Sequence, residues 1–314
     1  MELIVHLPQK LHRPIKITAI VFVSILTIYI GFSILGAAAS MQIPRLLVEG
    51  SPALAGLSYQ DVSFFSRIDR VNLKGWFIPG EGNSALIIVH GGFQPRVDPT
   101  IDTLSLTHDL VAKGYNILLF DLRGRGESAG KGLSLSNMDK DIGGAVDFLT
   151  DIGYPAHKIG IVGYCSGAAG VCIFASQEVV GAVVLDGCFT SVWDMVSNQA
   201  STRGIPHLAV DIFLPGVQLA AIVFYGYQPV NPIDVIDHVR CPILFIHEED
   251  DDLVSTLDNL ELENKSGHVT SIIWQVEHTA HSQAYQTHPV EYVTRLDSFF
   301  QSAFIMPGQT ETTR

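Results

Sequence analysis

The feature that most constrains the fold is a series of short apolar segments, rich in Val and Ile, that alternate with longer amphipathic segments. The apolar segments are Val71–Pro79, Ala85–His90, Ile117–Asp121, Ile159–Tyr164, Ala182–Asp186, Ile243–His247 and Thr270–Val276. Such runs are typical of strands that are covered on both faces of a parallel sheet. Helical patterns lie between them, near 99–113, 137–152, 166–176 and 288–303. The alternation predicts an α/β fold with a doubly wound, mostly parallel sheet and helices on both faces.

One interval interrupts this alternation. Residues 194–238 separate two predicted strands and include the apolar run 217–227. An ordinary crossover connection needs far fewer residues. We therefore expect residues 194–238 to form an inserted cap over the strand ends.

The N-terminal region carries a long apolar segment. No charged residue lies between Lys16 and Arg45, and Ile17–Ala39 is almost entirely aliphatic or small. At about 1.5 Å per residue, this stretch is long enough to cross a hydrocarbon core of about 30 Å. The preceding residues carry Lys10, Arg13 and Lys16 against the single acidic residue Glu2, and this positive charge predicts a cytoplasmic N-terminus and an exported C-terminal domain. The alternative is a secreted protein whose N-terminal segment is a signal peptide that is cleaved near Ala39.

These segments divide the chain as follows. We predict a cytoplasmic flank over 1–16, a single-pass transmembrane anchor over 17–39 and a linker over 40–56. A catalytic domain is expected over 57–304, with a flexible tail over 305–314. The mean hydropathy of +0.29 is then explained by one anchor and a buried sheet.

Charge and motifs exclude several classes of partner. The formal net charge is −13, which disfavours binding to nucleic acid because phosphate contacts need basic surfaces. No zinc-ligand spacing is present, and no G-x-G-x-x-G or P-loop pattern follows a predicted strand. The sequence therefore predicts no metal and no cofactor, and it leaves the oligomeric state open.

The most informative segment is IGIVGYCSGAAG, which begins at Ile159. A buried strand leads into Gly163-Tyr164-Cys165-Ser166-Gly167, the G-x-nucleophile-x-G pattern of a nucleophile elbow, with cysteine where serine is usual. The spacing selects Cys165, because Ser166 would have Tyr164 and Ala168 at the flanking positions. A helix N-terminus at this point favours a thiolate.

An acid and a histidine follow in the order found in nucleophile–acid–histidine triads. Five consecutive carboxylates, Glu248 to Asp252, lie just beyond a late strand, and the residues alone do not choose among them. Further on, His278 and His281 both lie between a predicted strand and the last helix. Three groups in this order, each after a strand, indicate acyl chemistry through a covalent intermediate.

Together these motifs make residues 57–304 resemble the α/β-hydrolase fold enzymes, in particular the serine aminopeptidase-like and monoacylglycerol-lipase-like hydrolases. The resemblance also uses His90-Gly91-Gly92 and the run from Asp121 to Ser128 (DLRGRGES). It implies Asp251 as the acid, by the pattern H-G-x-x-D-x-x-V, although Glu248 replaces the glycine. It implies His281 as the base and the backbone N–H groups of Gly92 and Ser166 as the oxyanion hole. Some members of the family place an alternative acid at the position of Asp186.

The cysteine elbow resembles that of dienelactone hydrolases, and acyltransferases of this fold also carry a cysteine there. We therefore expect a hydrolase acting on a carboxylic ester, thioester or amide of a small acyl or peptide-like substrate, through Cys165, His281 and Asp251. The alternatives are a cysteine-dependent acyltransferase and a catalytically weak scaffold that binds a lipid or peptide.

Overall fold

The computed structural model describes residues 9–132, 136–228, 230–267 and 270–305. Within these residues, eight strands form one sheet in the order β1-β2-β4-β3-β5-β6-β7-β8. Their bounds are β1 Gln60–Phe65, β2 Asn72–Ile78, β3 Ala85–Val89, β4 Asn116–Phe120, β5 Ile159–Tyr164, β6 Ala182–Asp186, β7 Ile243–Glu248 and β8 Ile272–Val276. β1 and β2 pair in antiparallel fashion, as do β2 and β4, and all other pairs are parallel.

Ten α-helices connect or flank these strands in the described part of the chain. They are α1 Gln9–Met41, α2 Thr103–Ala112, α3 Met138–Asp151, α4 Ser166–Gln177, α5 Val192–Thr202, α6 His207–Tyr225, α7 Pro232–Val235, α8 Thr256–Ser266, α9 Ala284–Thr287 and α10 Pro289–Ile305. The doubly wound, mostly parallel sheet predicted from the sequence is confirmed. It has the order and direction of the α/β-hydrolase fold.

The sheet is sandwiched between two apolar layers. Every residue of the central strands β3, β4, β5 and β6 is buried, which agrees with sequences that are apolar except for Asn116 and Asp186 at strand ends. One layer contains α3 and α4, and the other contains α2 and α10. Because the strands from β3 to β8 are parallel, the loops at their carboxyl ends meet along one edge of the sheet, where the predicted site residues lie.

Helices α5 and α6 lie in the insertion between β6 and β7. Helix α6 packs beside α1, and Ala37 and Met41 of α1 are fully buried in the same core cluster as Val217 and Ala221 of α6. Two helices of the described residues are long and apolar enough to cross a membrane, one over Pro14–Met41 and one over His207–Tyr225.

The segment after α1 is bound to the loop that follows β4 at several points. The N–H of Ile43 donates to the Gly132 carbonyl at 2.9 Å, and Arg45 donates to the carbonyls of Gly126 and Ser128. Part of the predicted flank, 1–8, and most of the predicted tail, 306–314, lie outside the described residues.

Candidate active site

Cys165 lies at the sharp turn between β5 and α4. Its backbone has φ 50° and ψ −117°, a region that residues with a side chain rarely adopt. A strained strand-to-helix turn of this kind holds the side chain out from the sheet edge, as in a nucleophile elbow. The side chain is partly exposed, whereas Cys172, Cys188 and Cys241 are buried.

The glycines around this turn are required by close backbone approaches. A Cβ atom on Gly163 would lie 2.7 Å from Cα of Ala168, and one on Gly167 would lie 2.5 Å from the carbonyl oxygen of His90. Gly91 is equally confined, since a Cβ there would meet the Tyr164 carbonyl at 2.4 Å. The G-x-C-x-G spacing therefore follows from how tightly the strand, the helix and the His90 loop pack.

His281 and Asp251 form a short hydrogen bond beside the elbow. The distance between His281 Nδ1 and Asp251 Oδ2 is 2.5 Å, and the Asp251 side chain has no exposed surface. The other carboxylate oxygen accepts the N–H groups of Leu253 and Val254, both at 2.8 Å. Three donors thus fix the carboxylate, which in turn fixes the orientation of the imidazole ring.

The opposite nitrogen of the ring, Nε2, is buried and makes no hydrogen bond within the described residues. Burial alone would lower the pKa of His281, but the charge of a Cys165 thiolate and the contacts with Asp251 outweigh it and raise that pKa well above its ordinary value. The ring lies against Gly187, where a Cβ atom would come within 2.9 Å of Cε1. Cys165, His281 and Asp251 are therefore within mutual electrostatic range.

The competing residues have other surroundings. His278 is 86% exposed and lies 3.6 Å from Glu249, away from the buried ring of His281. Asp250 and Asp252 lie in the same loop as Asp251, but both are exposed. Within the described ranges, no group of three His, Cys, Asp or Glu side chains is arranged to hold a metal ion.

The predicted oxyanion donors are the backbone N–H groups of Gly92 and Ser166, and the N–H of Gly92 already has an acceptor. The N–H of Gly92 donates to the Ser166 side-chain oxygen at 2.7 Å. Behind this loop the buried Arg125 guanidinium donates to the carbonyls of Arg123 at 3.1 Å and Gly92 at 3.5 Å. An oxyanion at this place would have to displace the Ser166 hydroxyl from the Gly92 N–H.

His90, at the end of β3, supports the same loop. Burial lowers the pKa of His90 to about 3, so the ring is neutral, and its Nε2 accepts the N–H of Leu122 at 3.1 Å. This bond ties the His90-Gly91-Gly92 loop to the segment after β4. The role of His90 is therefore to position the loop.

A pair of buried carboxyls lies beneath the site and was not predicted from the sequence. Asp186 at the end of β6 and Glu248 at the end of β7 are both fully buried. The Tyr292 hydroxyl donates to Asp186 Oδ2 at 2.8 Å and lies 2.8 Å from the Tyr164 hydroxyl. Burial raises the pKa of Asp186 to about 6, and burial beside Asp186 raises that of Glu248 well above its ordinary value. Two separate signals were present in the sequence, Asp186 at the position of an alternative acid and Glu248 in place of a glycine, but neither predicted that the two carboxyls lie together.

The fold and the elbow define the class of protein, an α/β-hydrolase fold with a cysteine at the elbow. Residues 86–230 match the sequence model of the Alpha/beta hydrolase family. The chain thus has the α/β-hydrolase fold, and its residues 86–230 are similar in sequence to that family.

Similar proteins include the uncharacterized protein YqkD of Bacillus subtilis (strain 168), 26% identical over 242 residues, or 74% of this chain and 76% of that protein. Among solved structures, the esterase Pf2001 of Pyrococcus furiosus superposes with a TM-score of 0.71 at 23% identity, over 84% of this chain and 98% of the esterase. The alpha/beta hydrolase GrgF of Penicillium sp. sh18 gives 0.64 at 18% identity, over 80% of this chain and 100% of its own.

Proposed function

We propose that this protein is a membrane-anchored hydrolase that cleaves a carboxylic ester, thioester or amide through Cys165, with His281 as the base and Asp251 as its orienting acid. The observation that carries the proposal is the strained backbone of Cys165 beside the 2.5 Å contact between His281 and Asp251. The likeness to an esterase supports carboxylic esters as the first substrates to examine.

The mechanism follows from the roles of the three side chains. His281 Nε2 takes the proton of the Cys165 thiol, and the thiolate attacks the substrate carbonyl carbon to form a tetrahedral oxyanion. Collapse of this intermediate breaks the bond to the leaving group, which takes the proton from His281, and leaves a thioester on Cys165. Water then attacks the thioester, gives a proton to His281 and releases the carboxylic acid, while the thiolate regains that proton.

The carboxylate of Asp251 makes this sequence possible in two ways. It holds the Nδ1–H tautomer, so that Nε2 is the nitrogen that accepts the proton, and it stabilises the imidazolium that forms. In the proposed site the oxyanion is stabilised by the N–H groups of Gly92 and Ser166. In other enzymes the removal of one such donor costs roughly 3–4 kcal/mol.

A second candidate function is acyl transfer, and the identity of the nucleophile favours it. A thioester on Cys165 is resolved by amines and thiols as well as by water. An acceptor of that kind would therefore compete with hydrolysis at the same intermediate. Product analysis with and without an added amine or thiol separates the two reactions.

Alkylation by iodoacetamide tests the nucleophile directly. In full-length protein in detergent, we expect Cys165 to be modified at near-neutral pH and an acyl substrate to slow the reaction. The other cysteines serve as internal controls, because burial raises the pKa of Cys241 to about 12 and that of Cys172 and Cys188 in the same direction.

Matched variants complete this test. Cys165→Ala should abolish both labelling and turnover, whereas Cys172→Ala, a change of a buried cysteine in the elbow helix, should leave labelling of Cys165 intact. Full activity of Cys165→Ala on every substrate that is turned over would refute the mechanism. Absence of labelling in a protein with an intact His281 would favour a binding scaffold.

A further inference from the structure

Helix α6 of the cap has two apolar faces. One face is packed into the core through Val210, Val217 and Ala221. On the opposite face, spacings of three, four and seven residues align five exposed side chains into one stripe. The α6 stripe, with the exposed fraction of each side chain, consists of Leu208 72%, Ile212 52%, Leu219 63%, Ile222 47% and Val223 63%.

The α6 stripe is continuous with the apolar surface of α1. Tyr29 stacks on Phe213 with ring centroids 5.4 Å apart, and Gln42 Nε2 donates to the Tyr225 hydroxyl at 3.0 Å. Later residues of α1 therefore contact later residues of α6, so the two helices run side by side in the same direction. Beyond the N-terminal end of α6, the first part of α1 exposes further large apolar side chains, among them Phe22 at 65%.

Small residues bring the two helices close together. A Cβ atom on Gly36 would lie 2.7 Å from Val217 Cγ2, and one on Gly216 would lie 2.1 Å from Ser33 Oγ. Close approach through glycine and serine, with large apolar side chains turned outward, is typical of helix pairs in a bilayer. In water the same pair would leave a contiguous apolar surface unpaired.

We propose that the α6 stripe contacts the hydrocarbon of the bilayer in which α1 is anchored, so that the cap itself is a lipid-bound element. This inference rests on the proposed anchoring by α1. The occupant is lipid because the stripe continues the surface of a helix that is long enough to cross a bilayer. The polar side chains His207, Asp211 and Gln218 lie along one edge of α6 and leave the stripe itself free of charge.

This placement brings the membrane close to the catalytic site. Asn198 on α5 donates to the Leu253 carbonyl at 3.2 Å, and the N–H of Leu253 donates to Asp251. The cap insertion also begins shortly after Gly187, which lies against the His281 ring. A cap in contact with lipid fits a substrate whose acyl chain is dissolved in the bilayer.

Fluorescence quenching by brominated lipids tests the proposal on the full-length chain in phosphatidylcholine vesicles. A single tryptophan is added in three variants: Leu219→Trp on the α6 stripe, Phe22→Trp on α1, and Val290→Trp on α10. Val290 is 80% exposed and is the matched control, because it is an exposed apolar residue on a helix of the catalytic domain. The quenching of the three native tryptophans in the unmodified protein is subtracted.

We expect brominated acyl chains to remove most of the added fluorescence in Leu219→Trp and Phe22→Trp and little of it in Val290→Trp. If Phe22→Trp is quenched and Leu219→Trp behaves like Val290→Trp, the stripe does not contact lipid and the proposal falls, while the anchor stands. If Phe22→Trp is also unquenched, the anchor itself is refuted, and the proposal with it. A stripe covered by a second copy of the chain would give the unquenched result together with a dimer by light scattering.

Discussion

Replacing Asp186 by asparagine should make the protein less sensitive to alkaline pH. The Asp186 carboxyl is fully buried beside Glu248, and it accepts a hydrogen bond from the Tyr292 hydroxyl. Burial raises the pKa of Asp186 from 3.8 to about 6. Between pH 3.8 and about pH 6 the folded state therefore binds more protons than the unfolded state, and the unfolding free energy falls as the pH rises through this range.

The magnitude follows from the two pKa values. The difference between 3.8 and about 6 corresponds to about 3 kcal/mol of unfolding free energy, lost in full above the folded-state pKa. Between about pH 5 and pH 8 the wild type should lose at least about 1.4 kcal/mol that Asp186→Asn retains, because one pKa unit corresponds to about 1.4 kcal/mol. Asparagine keeps the shape and the acceptor for Tyr292. It also removes the charge and the hydrogen bond through which Asp186 raises the pKa of Glu248, so the comparison reports the loss of the coupled carboxyl pair.

Urea denaturation in detergent micelles at the two pH values measures this difference. Trp274 is a suitable reporter, since its ring lies 5.9 Å from that of Tyr292, which holds Asp186. The matched control is Asp151→Asn, a change of an exposed carboxylate at the end of α3, for which we expect equal effects at both pH values. The same pH dependence in Asp186→Asn and the wild type would refute the account of the buried pair.

Activity of the same variant separates the two candidate acids. If Asp251 orients His281, Asp186→Asn should keep its turnover, while Asp251→Asn should lose on the order of 10⁴ in kcat, as expected when the ring adopts the wrong tautomer. The reverse pattern would identify Asp186 as the acid.

Two further substitutions test the geometry around the site. Gly187→Ala should lower kcat at least about tenfold, because its Cβ would lie 2.9 Å from the His281 ring and a displacement of about 1 Å can cost 10²-fold. Gly226→Ala has the same φ of 62° but open space around it, so it should carry only the backbone strain, and an equal loss of kcat in both would argue against the steric effect. Arg96→Met should lower the unfolding free energy by about 3–5 kcal/mol, because it leaves the Asp121 carboxylate buried without its cation. Thermal unfolding measures this loss, and adding Asp121→Asn should recover most of it.

The sheet was predictable where burial is uniform and less so at its edge. Except for Asn116 and Asp186 at strand ends, the central strands are apolar because both faces of the sheet are covered, and this composition identifies them in the sequence. Strand β1 was not among the predicted strands, since Gln60, Asp61 and Ser63 are exposed at the edge and give it a polar composition. Its partner β2 supplies the register through antiparallel pairing, which a single sequence does not encode locally.

The site shows the same division between local and long-range information. The elbow around Cys165 is encoded within five residues, because the close backbone contacts of that turn require its glycines. The choice of Asp251 among five carboxylates depended on the family pattern, and the approach of His281 comes from 30 residues further along. The pairing of Asp186 with Glu248 joins two strands through the tertiary fold alone, so no spacing rule could predict it.

The pairing of α1 with α6 has a consequence for how the chain is assembled. The hydrogen bond between Gln42 and Tyr225 joins residues 183 positions apart, so α1 is synthesised long before its partner helix exists. Until then, Ala37 and Met41, which are fully buried in the finished protein, have no cap to pack against. Removal of the chain before residue 40 would therefore take away part of the core. Helix α1 can therefore complete its contacts with α6 only after residue 225 has been made, and these contacts make it part of the folded core.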